Sequence, residues 1–240
     1  MFYINDYVTR KSYNNDVVFK IIDKKDSKVK LKGVKVRLLA DCDVSDLKKI
    51  EMLREEKDEA LPIKKGNYLN GKVLHLDSDE EYLRKSMKLY EKYKVPAVGC
   101  RLDEKEMPKK IEKLLDEFSP DILIITGHDF IDKEKGNVNS PYFIECVKKG
   151  RIYQKNKDAL CIISGACFSS FKELIYQGSN FSSSPGKVSI DVLDPAKVAI
   201  MIATTPVIEY VDIEKVINLT SNKEKGMGGI DTKGMARKIY

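Results

Sequence analysis

Apolar and polar positions along this chain change their period at two points. Over residues 5–40 they alternate in the two-residue manner of half-buried strands, at residues 7–10, 17–22, 29–31 and 34–39. Asn14-Asn15-Asp16, residues 23–26 and Gly33 separate these runs, and short runs between turn formers predict a small antiparallel β-barrel. Residues 41–70 are charged and rich in helix formers as far as Ala60, then carry Pro62 and Gly66, with Gly71 just beyond. They predict a short helix followed by a linker. From residue 72 strand and helix patterns alternate. Apolar runs at 73–76, 96–100, 122–126, 160–164 and 198–203 predict strands. Between them, Ser78 three residues before Glu81 predicts a capping box with Ser78 as N-cap, and Leu83, Met87 and Tyr90 follow at helical spacing. Pro108 predicts the first turn of a helix carrying Ile111, Leu114, Leu115 and Phe118. Ser140-Pro141 opens another helix through Phe143, Cys146 and Val147, and residues 212–219 form a last one. Repeated βα units predict a parallel sheet covered on both faces, in strand order 2-1-3-4-5 counted from Val73. The predicted division is a barrel at 1–45, a helix and linker at 46–70, and an α/β domain at 71–240.

Two of the predicted strands end alike. One runs through Ile122 into Gly127-His128, the other through Leu160 into Gly165-Ala166-Cys167. Ligands of parallel sheets sit beyond the carboxyl ends of the strands. An imidazole and a thiol are therefore expected at one sheet edge, the pair that a cysteine nucleophile and its base require. Packing alone accounts for most intracellular cysteines, and Cys161, inside the apolar run, reads that way. The pairing sets Cys167 apart: the chain has only two histidines, and His128 occupies the matching place in the preceding strand. The residues after Cys167 can begin a helix, whose N-terminus would favour the thiolate. The Cys167 backbone N–H could also face an oxyanion. His75, flanked by apolar residues inside a strand, reads as a core or interface residue.

Composition narrows the class. Apolar content of 42% and charged content of 33% suit a soluble globular protein. No apolar run approaches the length of a membrane span, and the N-terminus lacks a secretory pattern. Five Cys at irregular spacing, with no CxxC pair, suggest neither a zinc site nor a disulfide framework and point to a reducing, cytoplasmic compartment. No cofactor motif is present; Gly226-Met227-Gly228-Gly229 has no strand leading into it and reads as a loop or tail. Of the net charge of +6, residues 1–40 carry all, with ten Lys/Arg against four Asp/Glu. Lys interleaved with Tyr7, Tyr13 and Phe19 is compatible with nucleic-acid stacking; docking to protein is the alternative for this module.

A strand ending at His followed by one ending at Gly/Ala-Cys resembles caspase-like cysteine peptidases. Residues 6–13, 31–40 and 74–79, Thr126-Gly127-His128-Asp129, residues 164–170, Ser183-Ser184-Pro185-Gly186 and residues 226–232 together resemble the YabG family, sporulation-specific proteases of spore-forming bacteria. The resemblance covers nearly the whole chain. It implies a caspase-like αβα sandwich preceded by a small basic, SH3-like β-barrel. It further implies a mother-cell cysteine endopeptidase that trims spore-coat and related spore proteins next to Arg, with Cys167 as nucleophile and His128 as general base. In most caspase-like enzymes Gly follows the His and lends its N–H to the oxyanion hole. Here Asp129 stands in that place. Its N–H can donate, with that of Cys167, provided its carboxylate is turned away. The loop after the first strand lines the substrate pocket in such enzymes, so Asp77 and Asp79 are the candidates to receive Arg, with Asp191 and Asp194 as weaker ones. Asp79 can equally serve only to cap the helix. Two other readings remain open: a non-catalytic spore-associated scaffold or RNA-binding protein on an α/β fold, and a different thiol hydrolase on a flavodoxin-like sheet.

Overall fold

The computed structural model describes residues 1–51, 60–63, 66–134 and 136–240. The chain divides into two compact units, Met1–Ala60 and Leu61–Tyr240. In the first, β1 (Tyr7–Arg10), β2 (Phe19–Lys25), β3 (Lys28–Gly33), β4 (Leu39–Asp43) and β5 (Leu47–Lys49) form an antiparallel sheet in the order β4-β3-β2-β1-β5. Alternate residues Val8, Phe19, Ile21, Val29, Leu31 and Leu47 form its core. The helix expected from residue 41 is replaced as far as Lys49 by strand β4, a 3-10 turn at Val44–Asp46 and strand β5. Ala40 and Cys42 alternate with acidic residues and pack on that core, so period-two burial overrides helix propensity. The rest of that predicted helix, residues 52–59, lies outside the described residues, as do residues 64 and 65 of the linker. Lys28 and Lys30 of β3 stand opposite Asp43 and Asp41 of β4, which interleaves the basic charge with acid.

The second unit contains β6 (Tyr68–Leu69), β7 (Val73–Asp77), α1 (Glu80–Lys92), β8 (Ala97–Arg101), α2 (Met107–Phe118), β9 (Ile122–Thr126), the hairpin β10 (Ile131–Asp132) and β11 (Gly136–Asn137), and α3 (Ser140–Tyr153). There follow β12 (Cys161–Ser164), α4 (Phe171–Gln177), β13 (Phe181–Ser183), α5 (Asp194–Thr204), α6 (Ile213–Asn218), α7 (Lys223–Gly226), β14 (Met227–Gly229) and β15 (Arg237–Lys238). The main sheet runs β14-β13-β12-β9-β7-β8, with β8, β7, β9, β12 and β13 parallel. Read from β8, the first four strands stand in the expected 2-1-3-4 order; β13 takes the fifth place, and β14 is added antiparallel at the far edge. The central strands β7, β9 and β12 supply alternate side chains to two cores. Val73, Ile122, Ile124 and Ile163 pack with α1, α5 and α6; Leu74, Leu76, Leu123, Ile125 and Ile162 pack with α2, α3 and Leu174 of α4. The result is a mixed α/β unit with helices on both faces of a mostly parallel sheet. Among the described residues no helix is long and apolar enough to cross a membrane.

Four expectations need correction. Residues 198–203 are not a strand but the middle of α5, ten of whose eleven residues are buried. A run apolar on every side carries no period, so helix and strand read alike; Pro195 in the first turn decides for helix. The fifth parallel strand is instead Phe181–Ser183, whose serines hide it. Gly226 to Gly229 is not a loose tail, because β14 pairs with β13 and its glycines let the Phe171 and Phe181 rings close in. The N-cap of α1 is Asp79 rather than Ser78, and accepts from the Glu81 and Tyr82 N–H groups. Lastly, α4 begins at Phe171, so Cys167 does not sit at a helix N-terminus.

Candidate active site

The parallel register brings the carboxyl ends of β7, β9 and β12 to one edge. Asp77 stands beside Thr126, and Ser164 beside Ile125. His128 leaves β9 and Cys167 leaves β12, so the two lie on adjacent loops. Thr126 Oγ1 donates to the Gly165 carbonyl at 3.0 Å and ties the loops at their roots.

The His loop is built on a close approach. A Cβ at Gly127 would lie 2.6 Å from both Glu104 Oε1 and Ser78 Oγ, so only glycine lets these groups in. Glu104 Oε1 accepts the His128 N–H at 2.8 Å and the Ser78 hydroxyl at 2.6 Å. The His128 ring lies 5.8 Å from the Tyr82 ring, and its Nε2 is 3.3 Å from Asp79 Oδ2. Asp79 thus caps α1 with one carboxylate oxygen and holds the imidazole with the other.

Asp129 is turned inward. Oδ1 accepts the N–H groups of Phe130 and Asn139, each at 2.9 Å. Oδ2 accepts from Ser140 Oγ at 2.5 Å, Ser169 Oγ at 3.0 Å and Asn137 Nδ2 at 3.3 Å. One buried carboxylate therefore joins the His loop, the β10–β11 hairpin, the start of α3 and the Cys loop. These charge-assisted bonds compensate its burial. Ser169 Oγ in turn accepts the Ala166 N–H at 2.9 Å, beside the nucleophile candidate.

Cys167 is 1% exposed, and its Sγ accepts the Ile190 N–H at 3.3 Å. The next residue, Phe168, is held in the left-handed region at φ 59°. Its N–H donates to Ser184 Oγ at 3.0 Å, and its carbonyl accepts from Asn137 Nδ2 at 2.7 Å and Lys187 Nζ at 3.0 Å. Lys187 also caps the Ser169 carbonyl at 2.8 Å. A non-glycine residue in this region persists only where its surroundings over-determine it. Residues 184–190 thus lie over the Cys loop. Burial raises the thiols of Cys161 and Cys146 well above the usual range, so these two are inert core residues.

The acidic candidates separate. Asp77 is fully buried, with Oδ1 accepting the Asp79 N–H at 2.9 Å and Oδ2 3.7 Å from His75 Nε2. Asp194 is buried, accepts the Ser221 N–H at 3.2 Å and lies 3.3 Å from Lys197 Nζ. Burial, with Asp191 nearby, pushes its carboxyl up to about 6. Asp191 is half-buried and directly follows Ile190, which touches the thiol. Glu104, Asn137 and Lys187 carry no periodicity or motif, so sequence reasoning does not find them, and Ser169 lies in the 164–170 stretch without being singled out; Gly127 beside His128 is the nearest signal for Glu104.

A model of the YabG peptidase U57 family matches residues 3–70 and 54–240. The sporulation-specific protease YabG of Bacillus subtilis (strain 168) is 40% identical over 280 aligned residues, spanning 98% of this chain and 97% of that protein. No solved structure matches the chain. The match extends across both units and through the paired His and Cys loops, and the chain belongs to the YabG peptidase U57 family.

Proposed function

We propose that this peptidase is a cysteine endopeptidase of caspase-like architecture, preceded by an SH3-like barrel, that works in the mother cell on spore-coat and related spore proteins. The observation that carries the catalytic reading is the pairing of adjacent loops at one sheet edge, joined through Asp129, with His128 held by Asp79. With Nε2–H donating to Asp79, Nδ1 is left to take the Cys167 proton. The thiolate attacks the scissile carbonyl, and His128 returns the proton to the leaving amine. Water then releases the acyl group from sulfur. The inward carboxylate of Asp129 leaves its N–H, with that of Cys167, as the oxyanion donors in this reading.

Arg before the scissile bond remains the proposed preference. Asp77 is fully enclosed and Asp79 holds His128, whereas Asp191, whose Oδ1 accepts the Leu193 N–H at 2.8 Å, is half-buried and one residue beyond the thiol's donor; Asp191 is the proposed carboxylate partner. The interleaved charges of β3 and β4 favour protein over nucleic acid as partner of the first unit. The test is to incubate wild type, Cys167→Ala and His128→Ala with a coat-protein extract and map new N-termini. New termini following Arg, absent in both variants, are expected. Undiminished cleavage by folded Cys167→Ala would remove the thiol mechanism.

A further inference from the structure

The core holds an imidazole that this chemistry does not use. His75 lies in the middle of β7, fully buried, with Gly99 and Ile124 as its register neighbours on the flanking strands. Its Nδ1 is 2.9 Å from the Tyr90 hydroxyl on α1, and its Nε2 is 3.7 Å from Asp77 Oδ2. His75 and Asp77, two apart on a strand, share a face. Asp77 Oδ1 takes the Asp79 N–H, and Asp79 Oδ2 faces His128 Nε2. Tyr90, His75, Asp77, Asp79 and His128 therefore form a line of polar groups from inside the sheet to its edge. Burying an imidazole against a carboxylate is costly, and apolar residues of similar volume would fill the core at least as well.

We propose that His75 is a positioning residue for the peptidase reaction. Its Nε2, 3.7 Å from Asp77 Oδ2 and so beyond hydrogen-bond length, acts on the buried carboxylate electrostatically; it thereby steadies the turn from Asp77 to Asp79, and that turn aims Asp79 at His128. The titratable groups facing His75 among the described residues include Tyr90 from α1 and Asp77 from its own strand. Those around His128 are Asp79, Tyr82, and Glu104 on its N–H. The inference rests on the proposed roles of His128 and Cys167.

The test uses the full chain and a fluorogenic peptide amide with Arg before the scissile bond. His75→Phe should lower kcat about tenfold or more with KM changed less than about twofold, the pattern of a lost transition-state interaction. It should also move the acid limb of the kcat–pH profile, which reports the base in the bound enzyme. His75→Gln, whose amide can donate near the Nε2 position, should restore most of the loss. The double variant His75→Phe/Asp79→Asn should be no slower than Asp79→Asn alone, because both act through His128. Multiplying losses, or an unmoved acid limb, would overturn the proposal. If His75→Phe fails to fold, Tyr90→Phe replaces it. It removes only the hydroxyl on Nδ1, and its loss should likewise vanish in the Asp79→Asn background; a loss that persists there overturns the proposal. Activity retained by Cys167→Ala would sink the peptidase mechanism and this inference together. An inactive Cys167→Ala with multiplying His75 and Asp79 losses sinks the inference alone.

Discussion

Single side chains in this protein serve two neighbours at once. Asp129 is the clearest case, because five donors from four segments converge on one carboxylate. Asp129→Asn places an amide N–H₂ against groups that are themselves donors. The expected loss is about 2–4 kcal/mol in urea unfolding, the scale of breaking charged hydrogen bonds in a buried site. Cleavage should fall more than in a surface Asp→Asn control. Asp194 gives a pH prediction with a definite sign. Its carboxyl is pushed from the usual 3.8 to about 6, mainly by burial and next by Asp191. Between those values the native state binds the proton more tightly than the unfolded chain does. The group therefore favours folding below about pH 4, and that advantage fades as pH rises to about 6, for up to roughly 3 kcal/mol. Melting curves of Asp194→Asn against wild type check it: the variant should gain stability relative to wild type between pH 4 and pH 7.

At the scale of elements, two loops decide accessibility and alignment. The segment 184–190 covers a thiol that is 1% exposed, and Lys187 fastens that segment to the Phe168 and Ser169 carbonyls. Lys187→Met keeps the side-chain length and removes the donor. Iodoacetamide should then label Cys167 several-fold faster than in wild type, read by mass spectrometry, because local opening limits access. An unchanged rate would mean that Lys187 does not hold the cover down. In the His loop, Gly127→Ala forces a methyl to within 2.6 Å of Glu104 Oε1 and Ser78 Oγ. One of them must withdraw, and the His128 N–H loses its acceptor. We expect kcat to fall about tenfold or more while secondary structure by circular dichroism is retained. Elements also show where sequence patterns mislead. The short strands β7, β9 and β12 are buried at every position, as a parallel sheet covered on both faces requires. The apolar residues 198–203 turn out helical, since burial on all sides erases the period that distinguishes the two.

For the whole molecule, the division into Met1–Ala60 and Leu61–Tyr240 gives each unit its own core. A chain of residues 61–240 should therefore unfold cooperatively and keep a near-ultraviolet signal; a molten product would contradict that independence. Much of the architecture was legible beforehand: the βα alternation, the 2-1-3-4 order of the first four parallel strands, and the place of His128 and Cys167 at strand ends. These follow from local periods and from connection rules that act along the chain. The sequence by itself determined the buried strands β7, β9 and β12, and that His128 and Cys167, the proposed catalytic pair, follow adjacent strands at one sheet edge. Only the tertiary structure decided that Asp79 and not Ser78 caps α1 and faces His128, that Asp77 is enclosed beside His75, and that Asp129 binds four segments. It alone decided that Phe181–Ser183 and Met227–Gly229 complete the sheet. The physical reason is range. A period or a cap is written within a few residues, whereas the Asp129 carboxylate draws donors from up to 40 positions away, and no local pattern records them.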